Sequence, residues 1–365
     1  AYNFIRSMTA RGHMVRVVSA DQDKIGLPNH YVMPILSLGP IDGYVKKVGV
    51  TLARTNKKIL TEAIMGADVV HLLLPFGISR AAIKICRRLK IPMTTSTHCQ
   101  AENFTSHIFL ERSKIANHLT YRNFYTHVYR HVDCIHYPTE FIRQDMKKHG
   151  YKNTNDYVIS NGVAHRFIVN RTSKPAELSD KFVILFAGRY SKEKNHAFLL
   201  KAIMNSPYKD RIQLIFAGLG QLEDQVRKLG AKLPNPPIMR YFTKEELVKV
   251  MNYADLYVHP AKIELEGISL LESFACGLVP IVSSSKRSAT RNFALYPENL
   301  FDHRHPLDLT KKISYWMEHP DIKERVAKEY AQYAKVFDFE VCMDRMEKML
   351  FDAVEISKKK YGRPQ

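Results

Sequence analysis

Apolar residues follow two alternating rhythms along this chain. Short unbroken apolar runs alternate with longer stretches in which apolar positions recur every three or four residues, the marks of buried strands and of one-sided helices. In the first half, residues 2–11 read as a helix stopped at Gly12, and 14–19 as a short buried strand. Residues 67–72, 91–96, 133–138 and 157–160 are further strands, with a helix over 78–89. Residues 170–180 are polar, contain Pro175 and read as a linker. After it the rhythm restarts, with strands at 182–186, 212–217, 256–259 and 279–282, and a charged helical stretch from 311 to 360. Strands that alternate with helices of this length specify parallel sheets with helices on both faces. The expected architecture is α/β, in two doubly wound, Rossmann-like domains over 1–170 and 171–344. A C-terminal helix, about 345–365, is expected to pack back on the first domain. Such a unit ordinarily begins with a strand and a Gly-rich turn, whereas this chain begins on a helix. We therefore expect a first strand and turn of about twenty residues to be missing ahead of it.

Composition narrows the class. At 365 residues and 45% apolar content, the chain has ample material for two cores. It contains no apolar run of eighteen residues and opens on no basic-then-apolar leader, so neither a membrane span nor a signal segment is expected. The five cysteines, Cys86, Cys99, Cys134, Cys276 and Cys342, are scattered and never form C-x-x-C. That pattern implies a reducing cytoplasm and neither a disulfide framework nor a zinc ribbon. The net charge is +19, and it is uneven: residues 1–170 hold 23 Lys and Arg against 11 Asp and Glu, the remainder 32 against 25. Nucleic acid, anionic lipid or an anionic substrate would each satisfy that excess.

The stretch from Glu264 to Gly277 carries the sharpest chemistry. It sets Glu264 in a loop, then Gly267, then a short apolar helix with a second carboxylate, Glu272, eight positions after the first. A charged group inside a buried helix is costly unless it is hydrogen-bonded. The helix start at Gly267, Ile268, Ser269 and Leu270 offers free backbone N–H groups and the positive end of the helix dipole, which suit a phosphate. Phosphate at the helix start and hydroxyls at the buried carboxylate together read as a nucleotide-sugar site. A second cluster follows the strand at 182–186. There Gly188 lets a ligand approach the backbone, while Arg189 and Lys194 can clamp a diphosphate, one as a fork and one as a point charge. A core helix with one salt-bridged glutamate, and a solvated basic loop, are the plain alternatives for the two clusters.

Together these motifs, E-x7-E at Glu264 and Glu272, the G-R-x-x-x-E-K run at 188–194 and Asn161-Gly162-Val163 ahead of the linker, resemble the retaining family 4 glycosyltransferases of the GT-B fold, two Rossmann-like domains facing a cleft. The resemblance implies that Arg189 and Lys194 bind the donor diphosphate, Glu272 the ribose hydroxyls, and that Glu264 lies beside the donor sugar. It implies that the backbone at Ile268, Ser269 and Leu270, after Gly267, caps the phosphate or sugar. It also places a sugar-contacting histidine at His98, after the strand ending at Ser96. Catalysis would then rest on His98, Glu264, Arg189 and Lys194, through front-face attack with the leaving diphosphate stabilised by charge. Glu266 departs from the pattern, taking a position that is usually aromatic. Asp21-Gln22-Asp23 lies in the wrong domain for a metal motif, and His127 with His131 lacks a third ligand, so no metal or other cofactor is expected.

The basic first half bears on the acceptor. Lys46, Lys47, Arg54, Lys57 and Lys58 are interleaved with aliphatics, and residues 104–129 mix aromatics with Arg and Lys. Cations beside apolar side chains suit an anionic membrane surface. No nucleic-acid motif accompanies them. Glu102 and Asn103, close after His98, are candidate acceptor contacts. The resemblance, to members that glycosylate membrane lipids, implies transfer of a hexose, glucose first, from a nucleotide sugar, UDP-glucose first, to a membrane lipid such as diacylglycerol or a glycolipid; with the basic surface, the expectation is a cytoplasmic enzyme docked on the membrane's inner face. A soluble transferase of polysaccharide or glycan assembly, and a non-catalytic sugar-nucleotide binder, are the competing classes.

Overall fold

The apolar runs fold as strands because each is bounded by residues that stop it and flanked by a helix able to cover it. A computed structural model describes residues 2–37, 39, 51–105 and 113–362, with the backbone alone at 103 and 104. The chain forms two units, Ala1–Ser160 with Glu340–Gln365, and Asn161–Phe339.

The first unit runs α1 (Tyr2–Ala10), β1 (Val17–Ser19), β2 (His30–Val32), α2 (Lys57–Ile64), β3 (Val70–Leu72), α3 (Gly77–Leu89), β4 (Met93–Ser96), α4 (Ala101–Thr105), α5 (Lys114–His127), β5 (Cys134–Tyr137), α6 (Glu140–Lys148) and β6 (Asp156–Val158). Strands β3, β4, β5 and β6 lie side by side in that order, all parallel, and β1 pairs with β2, also parallel. Every residue of β4 and β5 is buried, polar Thr94, Thr95, Ser96 and His136 included. Those polar groups are tolerated because each is hydrogen-bonded: His71 meets Thr94 and Ser96 at 2.7 and 2.8 Å, Ser96 meets His136 at 2.8 Å, and the Thr95 hydroxyl donates to Leu72 O at 2.8 Å.

The second unit contains β7 (Phe182–Ala187), α7 (His196–Met204), β8 (Ile212–Ala217), α8 (Glu223–Gly230), β9 (Ile238–Arg240), α9 (Lys244–Tyr253), β10 (Leu256–His259), β11 (Ile263–Glu264), α10 (Ile268–Ala275), β12 (Pro280–Ser283), β13 (Arg287–Ser288), β14 (Leu300–Phe301), α11 (Pro306–Glu318) and α12 (Pro320–Ala334). Its main sheet has the order β14-β12-β10-β7-β8-β9 with every pair parallel. The chain thus builds outward from β7 in one direction, then returns to β7's other side with β10. Ligands of such sheets bind outside the carboxyl ends of the two strands where the order reverses, here β7 and β10.

Three details differ from the sequence reading. Residues 161–170 belong with the second unit, because the Val163 N–H donates to Phe337 O and the Phe339 N–H donates to Val163 O, at 2.7 and 3.2 Å. The boundary therefore lies ahead of the polar linker. Glu264 stands on a two-residue strand rather than in a loop, since β11 pairs with β13. The charged stretch is divided among α11, α12 and a last helix, α13 (Phe339–Tyr361); Pro320, at the first position of α12, makes the first break.

Candidate active site

The carboxyl end of β7 is where side chains from distant parts of the second unit converge. Gly188 follows the strand directly, and a Cβ there would lie 3.2 Å from the Phe186 ring and 3.6 Å from the Lys194 side chain. The turn after β8 presses on the same spot: a Cβ on Gly218 would meet the Gly188 carbonyl at 2.2 Å, and one on Gly220 the Tyr190 backbone at 2.5 Å. Glycines after β7 and β8 thus let two backbones pack edge to edge at the sheet's rim, a requirement of close approach. Arg189, at the tip, is 71% exposed and among the described residues its side chain reaches Glu193, at 3.9 Å. It is free to swing onto an anion.

Lys194 is not free. Its ammonium is paired with Oε2 of Glu264, and both side chains are largely buried. The same Oε2 lies 3.2 Å from Nε2 of His259, the last residue of β10, which is wholly buried. Burial pushes the Glu264 carboxyl up, but Lys194 and His259 outweigh it and hold it at about 2. Sequence reasoning singled out Lys194 and Glu264 and passed over His259, whose place at a strand end carries no pattern of its own.

Gly267 initiates α10 with φ +87°, a left-handed conformation, and a Cβ there would sit 2.8 Å from the Thr290 side chain. The first turn leaves the N–H groups of Ile268 and Ser269 without intrahelical acceptors. Leu270 differs from the expectation that its backbone faces a ligand: its N–H donates to Gly267 O at 2.9 Å, closing that turn. The Ser269 hydroxyl is also committed. It donates to Ala187 O at 2.9 Å and accepts from Tyr257 at 2.8 Å, tying the helix start to the end of β7.

Glu272, one turn on, is 5% exposed and meets Lys244 Nζ at 3.3 Å. Burial raises its pKa above the ordinary carboxylate value, and Lys244 offsets that only in part. A carboxylate so poorly satisfied is fitted to accept hydroxyl donors from a ligand. Glu266, the residue out of pattern, is buried and accepts from the Asn161 N–H at 3.1 Å and its side-chain amide at 2.6 Å. It is an internal fastener of this unit.

The remaining candidates lie in the first unit. His98 follows β4, its ring 5.9 Å from that of His136 and nearly perpendicular to it. Burial, with His136 adding to it, lowers its pKa to about 3, so the imidazole is neutral. Cys99 is pushed up to about 12 by burial and is no nucleophile. Glu102 is engaged by the Tyr121 hydroxyl at 2.9 Å, in a cluster with Asp145. Arg54, Lys57 and Lys58 are exposed and stand with Pro34, Thr55 and Asn56 around an open hollow of about 580 Å³. Lys46, Lys47 and the side chain of Asn103 lie outside the described residues.

Comparison with known sequences places both halves. Residues 1–167 match the model of Glycosyltransferase Family 4, and residues 170–335 that of Glycosyl transferases group 1. The chain belongs to the glycosyltransferases. Among curated relatives, this glycosyltransferase is 25% identical over 235 residues to the alpha-monoglucosyldiacylglycerol synthase of Streptococcus pneumoniae, covering 59% of this chain and 51% of that protein. It is 24% identical over 295 residues to a sulfoquinovosyl transferase of Arabidopsis thaliana, covering 77% and 55%. The chain thus spans about half the length of these two relatives. Its fold matches that of Anabaena HepE, solved with UDP-glucose, at TM-score 0.68 and 16% identity, over 88% of this chain and 86% of that one. The fold is GT-B.

Proposed function

We propose that this glycosyltransferase moves a hexose, glucose first, from a nucleotide-diphosphate sugar to a membrane lipid, with retention of configuration. The observation that carries the donor half is the meeting of Lys194, Glu264 and the start of α10 at the β7–β10 rim, with under-satisfied Glu272 one turn further on. Arg189, Lys194 and the N–H groups of Ile268 and Ser269 would stabilise the diphosphate as it leaves, which is electrostatic catalysis of developing charge. Glu272 would accept the ribose hydroxyls. Glu264, held at about 2, is a weak nucleophile, so same-face attack by the acceptor fits better than a covalent intermediate on it. The scheme draws its positive charge from side chains and backbone and writes in no metal. HepE was solved with UDP-glucose, which supports that donor as the first to test.

For the acceptor, the pneumococcal relative is named for a glucosylated diacylglycerol. In this chain α5 leaves Lys114, Ile115, Leu119 and Arg122 exposed together, and α2 starts with exposed Lys57 and Lys58. Apolar side chains among cations suit an anionic bilayer, each basic group adding about 1 kcal/mol near the surface. No described helix is long and apolar enough to cross a membrane. The exposed cations and aliphatics of α2 and α5 are the ground for reading the enzyme as peripheral, docked on the cytoplasmic face of the membrane.

Calorimetry with UDP-glucose tests the donor half: Arg189→Ala, Lys194→Ala and Glu272→Ala should each weaken binding about 10-fold or more. Wild-type affinity in all three would sink it. Co-sedimentation with phosphatidylglycerol vesicles tests the acceptor half. Binding should fall as salt rises, because the Debye length shrinks to about 3 Å at 1 M. Equal binding to neutral vesicles would remove the lipid argument and leave the donor site standing.

A further inference from the structure

His259 has no ligand role in the scheme above, yet it is built into the site with unusual care. Its ring is wholly buried, edge-on to Phe186 at 5.4 Å and 88°, and nearly parallel to Tyr257 at 6.2 Å. Nε2 faces Glu264 Oε2 at 3.2 Å, while Nδ1 is buried with no hydrogen-bond partner among the described residues. Burial lowers the imidazole's pKa, with Glu264 opposing and Lys194 adding to the fall, so the ring is neutral at neutral pH. A neutral imidazole facing an ionised carboxylate through Nε2 carries its proton there, which leaves Nδ1 as a bare acceptor. Burying an unsatisfied acceptor costs stability, and that cost is borne where the Nε2–H contact is made.

Both partners of Glu264, Lys194 and His259, act on Oε2. Oε1 makes no hydrogen bond to a described residue. We propose that His259 is a positioning residue: it grips Glu264 by Oε2 so that Oε1 is presented to a hydroxyl of the donor sugar, and keeps that grip when the donor's diphosphate draws Lys194 away. Lys194 sits on a flexible stem and serves two anions in turn. His259 is pinned by aromatic packing on a central strand and serves one. The inference rests on the donor-site reading above.

Three variants of the full chain test it: His259→Gln, His259→Asn and His259→Leu. The glutamine amide nitrogen reaches about as far from the backbone as Nε2 does; the asparagine amide falls short of it. UDP affinity, measured by calorimetry, should stay within about 2-fold of wild type in all three, since UDP carries no sugar for Glu264 to hold. Turnover of UDP-glucose, measured as UDP release, should drop about 10- to 100-fold in kcat for Asn and Leu, and Gln should restore most of it. Wild-type kcat in Asn and Leu would overturn the proposal. So would a glutamine variant as impaired as asparagine at equal Tm, the comparison that decides the matter should the leucine variant fold poorly. A wild-type protein that binds no UDP and releases none from UDP-glucose would fail in the donor-site reading itself, before any variant is made.

Discussion

Two carboxylates eight residues apart are shifted in opposite directions. Glu264 is drawn below its ordinary value of 4.5 despite burial, because Lys194 and His259 favour its charge. Glu272 is raised above the same value, chiefly by burial. The signs of their linkage to stability follow. For Glu264 the stabilisation is fully present above about 4.5 and is lost as pH falls toward about 2. For Glu272 the ionised form is a burden, present above its raised pKa and relieved as pH falls through it. Glu272→Gln should therefore melt higher than wild type at neutral pH, with the gap closing as wild-type Glu272 protonates, while UDP-glucose affinity falls about 10-fold. Thermal melts across pH, beside calorimetry, read both. A glutamine variant less stable at neutral pH would show that Lys244 satisfies Glu272 fully. The charges in this pair of motifs were legible in sequence because they lie close along the chain; His259 was not, because its role depends on which strand ends beside β7.

The element that organises the site is α10, and its geometry turns on Gly267. Only a residue without Cβ takes φ +87° at little cost and also clears Thr290 at 2.8 Å. Gly267→Ala should destabilise the protein by about 1–2 kcal/mol and weaken UDP binding, since the helix start must shift. Adding Thr290→Ser removes the methyl the new Cβ would strike and keeps the hydroxyl that pairs with Ser288 at 2.8 Å. It should recover part of the loss and no more, because the backbone strain remains. Full recovery would assign the cost to the clash alone. Long elements such as β7, β8 and α3 were readable from periodicity, since each buries enough residues to show one. Strands β9, β11, β13 and β14, two or three residues each, are too short to carry a repeat; pairing with a neighbour makes them strands.

At the scale of the whole molecule, the last helix belongs to the first unit, and the contacts that hold it there are charged at one end. Arg11, just past α1, reaches Asp344 at 2.5 Å, Glu347 at 2.9 Å and Glu340 at 3.0 Å, while Tyr157 donates to Asp352 at 2.8 Å. Arg11→Ala would leave three carboxylates crowded on one helix. It should cost about 1 kcal/mol at low salt, less as salt rises, and should speed hydrogen exchange in α13. Unchanged exchange there would show that buried Met343, Met346 and Met349 hold the helix without it. The sequence alone determined what depends on neighbours along the chain: alternating strands and helices, a break near the middle, and the charged and glycine residues that gather at one rim. Tertiary structure decided what depends on the path the chain takes. It set the reversal of strand order at the β7–β10 rim, the pairing of Lys194 with a carboxylate seventy residues on, and the charged contacts of α13, whose return to the first unit is expected from the sequence. Periodicity reports which face of an element is buried and is blind to which element buries it.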